Sequence, residues 1–348
     1  MTYLVTGAAG FIGYFVCRAL VEAGQTVIGV DSLNDYYRID LKESRLRLLE
    51  NLNGQCTGPF IFFRGEIENS ALIEQIFSSY SFDCVIHLAA QAGVRYSLTH
   101  PRAYVSSNVD GFLNILEGCR DMMPRIRQNQ FHLVFASSSS VYGMNRKVPF
   151  SESDPTDHPV SLYAATKKAD EMMAHVYSHL YGIPATGVRF FTVYGPMGRP
   201  DMAYFKFANA IMQEKTIDVY NNGNLLRDFT YIDDVIKAIL LIAARPPEPA
   251  PDFDPEKPLP DRSSAPYRIY NIGNAHPEKL TDFITLLEKQ LGREAKKNFL
   301  PMQPGDVFMT AADTSLLEHD FGWRPATPLE TGLRYFTDWY KEKKIWQR

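Results

Sequence analysis

The chain is poor in cysteine and shows no pattern among the four it has: Cys17, Cys56, Cys84 and Cys119 stand singly, with no C-x-x-C pair. Thiols so placed neither frame a disulfide-stapled domain nor make a zinc site, and they point to a reducing, cytoplasmic setting. The eight histidines show no ligand spacing; His175 and His179 are four apart, but no cysteine or carboxylate completes a site, so no metal is expected. No stretch reaches the ~18 uninterrupted apolar residues of a membrane span. Met1 to Cys17 is uncharged and largely apolar, yet it has no basic flank and is broken by three evenly spaced glycines. It reads as a buried strand and turn rather than a signal segment, and a soluble protein is expected. A net charge of −4 gives no bulk attraction to nucleic acid or to a membrane surface. There are no internal repeats.

What is present is enough apolar sequence, 45% over 348 residues, for one large core and a smaller lobe. Strand-like runs alternate with amphipathic stretches: Tyr3-Thr6, Thr26-Asp31, Phe60-Phe63, Cys84-Leu88, Leu133-Ala136 and Ala185-Phe190. This is the pattern of an α/β protein with a Rossmann-type doubly wound parallel sheet. From Thr192 the pattern loosens into Pro- and Gly-rich loops, then gives helical runs at Tyr204-Gln213 and Val235-Ala244 and a strand at Arg268-Ile272. The expected division is a first domain over 1–190, rejoined by 228–247 and 267–273, and a smaller mixed α/β lobe over 191–227 and 274–348. Residues 246–266, dense in proline and charge, are expected to form an exposed loop.

Gly7-Ala8-Ala9-Gly10-Phe11-Ile12-Gly13 follows the first strand. A tight turn opening a helix there aims backbone N–H groups and the positive helix end at a pyrophosphate. Gly7 permits the turn, Gly10 lets a phosphate approach, and Gly13 lets the helix pack on the strand. The second strand ends in Asp31, placed to accept hydrogen bonds from an adenosine ribose diol and to repel a 2′-phosphate. The implied cofactor is NAD rather than NADP.

The second constellation is Tyr163-Ala164-Ala165-Thr166-Lys167, with Ser138 upstream. On a helix, Lys167 faces the same side as Tyr163. A free tyrosine ionises near pH ~10, too high for a base at neutrality. An ammonium ~4 Å away favours the phenolate by ~4 kcal/mol, equivalent to ~3 pK units. Tyr163 then serves as the base on an alcohol, with Ser138 holding the same oxygen.

Together with His87-Leu88-Ala89-Ala90, Ser137-Ser138-Ser139-Ser140-Val141-Tyr142-Gly143 and Arg189-Phe190-Phe191-Thr192-Val193-Tyr194-Gly195-Pro196, these motifs resemble the extended short-chain dehydrogenase/reductase family. Within it, Asp31-Ser32-Leu33-Asn34-Asp35-Tyr36-Tyr37, Gln91-Ala92-Gly93-Val94-Arg95-Tyr96-Ser97 and Gly198-Arg199-Pro200-Asp201-Met202-Ala203 resemble the UDP-glucuronate 4-epimerases. The resemblance runs from Thr2 to about Tyr340. It implies a tightly held NAD in the first domain and a UDP-sugar in the second lobe. A 4-keto sugar forms, turns about its diphosphate and is reduced on the other face. It also implies Asn34, Glu66, Ile67, Leu88, Ala89, Ala90, Asn108, Tyr163 and Lys167 around the NAD, Glu66 replacing the family's usual aspartate. Thr192, Phe205, Arg227 and Asp306 are implied on the UDP-sugar side, with Arg227 as the diphosphate clamp.

Within that frame, Ser139, Ser140 and Thr192 supply neutral hydrogen bonds to a uronate, and Arg199 in its Pro-flanked turn supplies a cation. UDP-glucuronate is therefore expected over UDP-glucose or UDP-N-acetylglucosamine. Two rivals, a nucleotide-sugar 4,6-dehydratase and a UDP-glucuronate decarboxylase, call for a carboxyl group beside Ser138, where this chain has Ser139 and Ser140. A non-catalytic NAD-binding module is a third alternative, opposed by the intact Ser138, Tyr163 and Lys167. Family members are commonly homodimers joined through two helices of each subunit, for which Arg102–Glu117 and Leu162–Tyr181 are the candidates.

Overall fold

The computed structural model describes residues 1–126, 131–302 and 307–347. The chain begins with strand β1 (Thr2–Thr6), helix α1 (Phe11–Glu22), β2 (Thr26–Asp31), α2 (Ile39–Glu50), β3 (Phe60–Arg64), α3 (Ser70–Ser79) and β4 (Cys84–His87). Two short helices, α4 (Tyr96–Thr99) and α5 (Pro101–Tyr104), lead through a π-helical stretch (Val105–Asp110) into α6 (Gly111–Met122). Then come β5 (His132–Ser138), α7 (Leu162–Tyr181) and β6 (Ala185–Phe190). The remainder comprises β7 (Thr192–Tyr194), α8 (Ala203–Met212), β8 (Thr216–Tyr220), β9 (Leu226–Tyr231), α9 (Ile232–Ala243), β10 (Tyr267–Ile272) and β11 (Pro277–Lys279). It closes with α10 (Leu280–Leu291), β12 (Lys296–Leu300), α11 (Ser315–Phe321) and α12 (Leu329–Glu342).

Among the described residues, seven strands form one sheet in the order β10-β6-β5-β4-β1-β2-β3. Every pairing in it is parallel. Parallel strands covered on both faces are apolar at successive positions, and β1 shows why. Tyr3 and Val5 enter the core cluster shared with α1 and α9, while Leu4 enters the opposite one with Phe112, Ile115 and Ala174. The strand order reverses direction between β1 and β4, the point where such sheets open a crevice at their carboxyl ends. Two small sheets, β11-β9-β7 and β12-β8, build the lobe above that crevice.

The 246–266 segment departs from expectation. It is exposed to partly exposed as far as Pro260, but Asp261, Ser263 and Ala265 are buried. They are stitched to neighbouring elements: Asp261 O accepts from Ile269 N at 2.9 Å, and Ser263 Oγ lies 2.8 Å from His175 Nε2. A proline-rich segment carrying its own polar anchors is thereby fixed against α7 and the edge strand. Among the described residues no helix is long and apolar enough to cross a membrane, and no group of three metal-ligating side chains gathers.

Candidate active site

A cavity of about 740 Å³ opens at the carboxyl edge of the sheet, between it and the upper lobe. Gly7, Gly10, Phe11, Ile12 and Gly13 form one wall. Gly7 is left-handed at φ 70, and a Cβ there would lie 2.8 Å from Ala89 N; one on Gly13 would lie 2.0 Å from Gly7 O. Only glycine permits this packing of turn on strand. No side chain caps α1, so its first amides are left for a ligand at the helix end. Asp31 closes β2, its carboxylate accepting from Ala9 N at 3.0 Å and Leu33 N at 2.8 Å. A bare-backbone cradle with an acid one strand away fits a dinucleotide. Asn34, Glu66, Ile67, Leu88, Ala89 and Ala90 continue the same wall.

Ser138 ends β5 at the rim of the cavity, and Ser139 and Ser140 follow in a short 3₁₀ turn whose amide at Ser140 donates to Ser138 Oγ at 3.2 Å. Tyr163 occupies the first turn of α7, capped by Ser161 Oγ accepting from Ala164 N at 3.1 Å. Its ring meets Tyr104 edge-on at 6.0 Å. Lys167 follows one turn later, buried, with Nζ 2.6 Å from Asp170 Oδ2. Both Tyr163 and Lys167 line the cavity with Ser138, Thr192 and Arg227.

Two expected contacts fall elsewhere. Asn108 is buried behind the wall: its side chain accepts from Gln91 N at 2.8 Å and donates to Gln91 O at 3.1 Å and Thr166 Oγ1 at 2.9 Å. It braces the Gln91 loop against α7. Phe205 is 1% exposed and packs on Phe336, Trp339 and Tyr340, because the apolar stripe of α8 turns into the lobe's own core. Asp306 lies outside the described residues. Arg199 does line the cavity, but its guanidinium is held by Asp201, Nε to Oδ1 at 3.0 Å and Nη2 to Oδ2 at 2.5 Å. The cation expected for a uronate already has a carboxylate partner.

Buried charged side chains support the site from below. Arg189, at the end of β6 and fully buried, clasps Glu171 through two bonds of 2.8 and 2.9 Å. Burial alone would raise the Glu171 carboxyl, but Arg189, Lys168 and the Ser137 hydroxyl hold it down at about 2. Ser137 Oγ donates to that carboxylate at 2.7 Å, which fixes the strand end carrying Ser138. On α2, Lys42 and Arg45 share the buried stripe with Leu41 and Leu49. Charge at apolar-stripe positions is the one signal of their role that a sequence carries.

Fold order, glycine turn and the Ser–Tyr–Lys group define the class: an extended short-chain dehydrogenase/reductase built on a dinucleotide-binding sheet. The chain belongs to the NAD dependent epimerase/dehydratase family, which matches residues 3–273. It is 49% identical to UDP-glucuronate 4-epimerase 4 of Arabidopsis thaliana, over 98% of this chain and 75% of that one. It is 45% identical to a probable UDP-glucuronate 4-epimerase of Rhizobium meliloti, over 98% and 97%. The crystal structure of UDP-glucuronic acid 4-epimerase from Bacillus cereus in complex with UDP-glucuronic acid and NAD superposes with a TM-score of 0.81 at 32% identity, covering 99% of this chain and 100% of that one.

Proposed function

We propose that the protein interconverts UDP-glucuronate and UDP-galacturonate. The observation that carries this reading is one cavity holding both the glycine cradle and Ser138, Tyr163 and Lys167. Bound NAD supplies the acceptor for hydrogen leaving C4 and returns it to the opposite face. Tyr163 takes the proton of the 4-hydroxyl and gives it back, Ser138 holds that oxygen, and Lys167 favours the ionised phenol. Arg227 on β9 is the cation for the diphosphate about which the keto sugar turns.

Dehydration and decarboxylation are disfavoured by what stands beside Ser138. Among the described wall residues the acids are Asp31, at the end of β2, and Glu66 and Glu68, just after β3. Ser138 ends β5, on the other side of β1 and β4. Among the described residues, no carboxyl group is therefore placed to remove water at C5–C6. The direct test is NMR of purified holoenzyme incubated in turn with UDP-glucuronate, UDP-glucose and UDP-N-acetylglucosamine. UDP-galacturonate from the first, with slow turnover of the others, is the expected result. A UDP-pentose, a 6-deoxy-4-keto sugar or faster turnover of UDP-glucose overturns it.

We also propose a homodimer in a reducing cytoplasm. Met172, Val176 and Leu180 are exposed at i+4 spacing along α7, with Leu113 exposed on neighbouring α6. Such a stripe on two adjacent helices suits a symmetric four-helix contact. The four cysteines are free thiols, three of them buried. Light scattering on the 39.5 kDa chain should give twice that mass, and Leu180→Glu with Met172→Glu should return it to one.

A further inference from the structure

Arg45 is 0% exposed, and among the described residues none of its bonds is to a carboxylate. A buried guanidinium is ordinarily paired, since taking it out of water without a counter-charge is unfavourable. Here the fork is spread over two parts of the molecule. Nη1 donates to Ala9 O at 2.9 Å, inside the glycine turn, and to Tyr37 OH at 2.7 Å. Nε donates to Met197 O at 3.0 Å, and Nη2 donates to Gly198 O at 3.1 Å and also to Met197 O.

Both partners are special backbone. The amide of Ala9 donates to Asp31, so the residue is fixed by the ribose acid on one side and by Arg45 on the other. Met197 is left-handed at φ 56, a conformation that a side chain makes unfavourable. At Gly198 a Cβ would sit 1.6 Å from the Tyr204 hydroxyl. The 195–201 loop thus holds a strained path whose carbonyls converge on one guanidinium, and its next residue, Arg199, faces the cavity.

We infer that Arg45 is a positioning residue that fastens the cofactor turn to the sugar-nucleotide loop, so that holding NAD and ordering the 195–201 loop depend on one side chain. This rests on the proposed reading of the two walls as cofactor and sugar-nucleotide sides. Lysine keeps the charge but cannot reproduce a fork spanning both segments.

The test compares wild-type and Arg45→Lys holoenzymes by three readouts: NAD retained after dialysis, amide hydrogen exchange across 195–202, and KM against kcat with NAD in excess. Loss of charge-assisted hydrogen bonds predicts ~10-fold or greater weakening of NAD retention and a KM raised by a similar factor. Exchange in 195–202 should quicken even with NAD saturating, and kcat should change less than KM. Tyr37→Phe, which removes a single acceptor, should move retention and exchange the same way by less, and it decides the matter if the lysine variant does not fold. Weakened NAD retention with unaltered exchange and KM overturns the coupling, as does no change in either variant. Retention and exchange need no substrate, so inactivity toward UDP-glucuronate would sink the assigned reaction without touching this result.

Discussion

Lys167 and Asp170 form an ion pair that is closed off from water: Nζ to Oδ2 is 2.6 Å, with side chains 2% and 1% exposed. The second oxygen of Asp170 is buried, without a hydrogen-bond partner among the described residues. Lys167, one turn from Tyr163, is therefore committed to an acid one turn further along α7.

That pairing predicts the effect of Asp170→Asn. Burial pushes the Asp170 carboxyl up to about 6, with Lys167 pulling it down and Glu171 adding to the rise. On the facing strand His87 is pushed down to about 3 by burial and by Lys167, and so stays neutral. Above pH 6 the ionised Asp170 opposes a second negative charge near Lys167. Unit charges ~8 Å apart at an effective dielectric of ~20 exchange about 2 kcal/mol, or roughly 1.5 pK units. The asparagine variant should shift the ascending limb of kcat/KM to lower pH by about that amount. A lowered rate with an unmoved limb would reduce Asp170 to packing.

Tyr163→Phe keeps the ring against Tyr104 and removes the ionisable oxygen. Stability should change little, and turnover should fall by ~10²-fold or more while NAD stays bound. Turnover within a few-fold of wild type would show that another group carries the proton.

The sheet and the catalytic group are largely legible in the sequence because both are local signals. Each parallel strand is a short apolar run, and Tyr163 and Lys167 are one helical turn apart. The later helix boundaries are less so: α9 begins at Ile232, three residues before the Val235 at which the sequence suggests its start. What stays hidden is whatever depends on a partner distant in sequence. Arg199 looks like a loose cation until Asp201 closes on it, and Phe205 looks like a site residue until α12 packs over it. Arg45 acts at residues 36 and 152–153 positions away, which no spacing rule reaches.

Glu152 predicts how stability varies with pH. It is 2% exposed, accepts from Asn271 N at 2.9 Å, and faces Asp313 and Arg189. Burial pushes its carboxyl from 4.5 to about 7. The folded form then binds more protons than the unfolded chain between these values, so its contribution is present at pH 4.5 and lost as pH rises to 7. The gap corresponds to about 3 kcal/mol. Glu171 acts oppositely, losing its contribution as pH falls from 4.5 toward 2. Glu152→Gln keeps the acceptor and removes the titration, so its Tm advantage over wild type should grow from pH 5 to pH 8. Parallel Tm curves would contradict this.

Arg199 and Asp201 bear on substrate choice. With the guanidinium bound to Asp201 through two hydrogen bonds and Tyr36 OH donating to the same carboxylate at 3.2 Å, this corner of the cavity is nearly neutral. Arg199→Ala would leave the Asp201 carboxylate uncovered beside an anionic sugar. At ~1.5–3 kcal/mol for a charge-assisted contact, uronate kcat/KM should fall ~10–150-fold, and UDP-glucose kcat/KM by much less. Asp201→Asn alone should release the guanidinium and raise the uronate-to-hexose ratio. The double variant should recover most of what Arg199→Ala loses, because its repulsive partner is gone; that recovery separates electrostatics from loop folding. Equal losses on both substrates, with no recovery in the double variant, would make the pair a strut of the 195–201 loop and leave Ser139, Ser140 and Thr192 as the groups that distinguish a uronate.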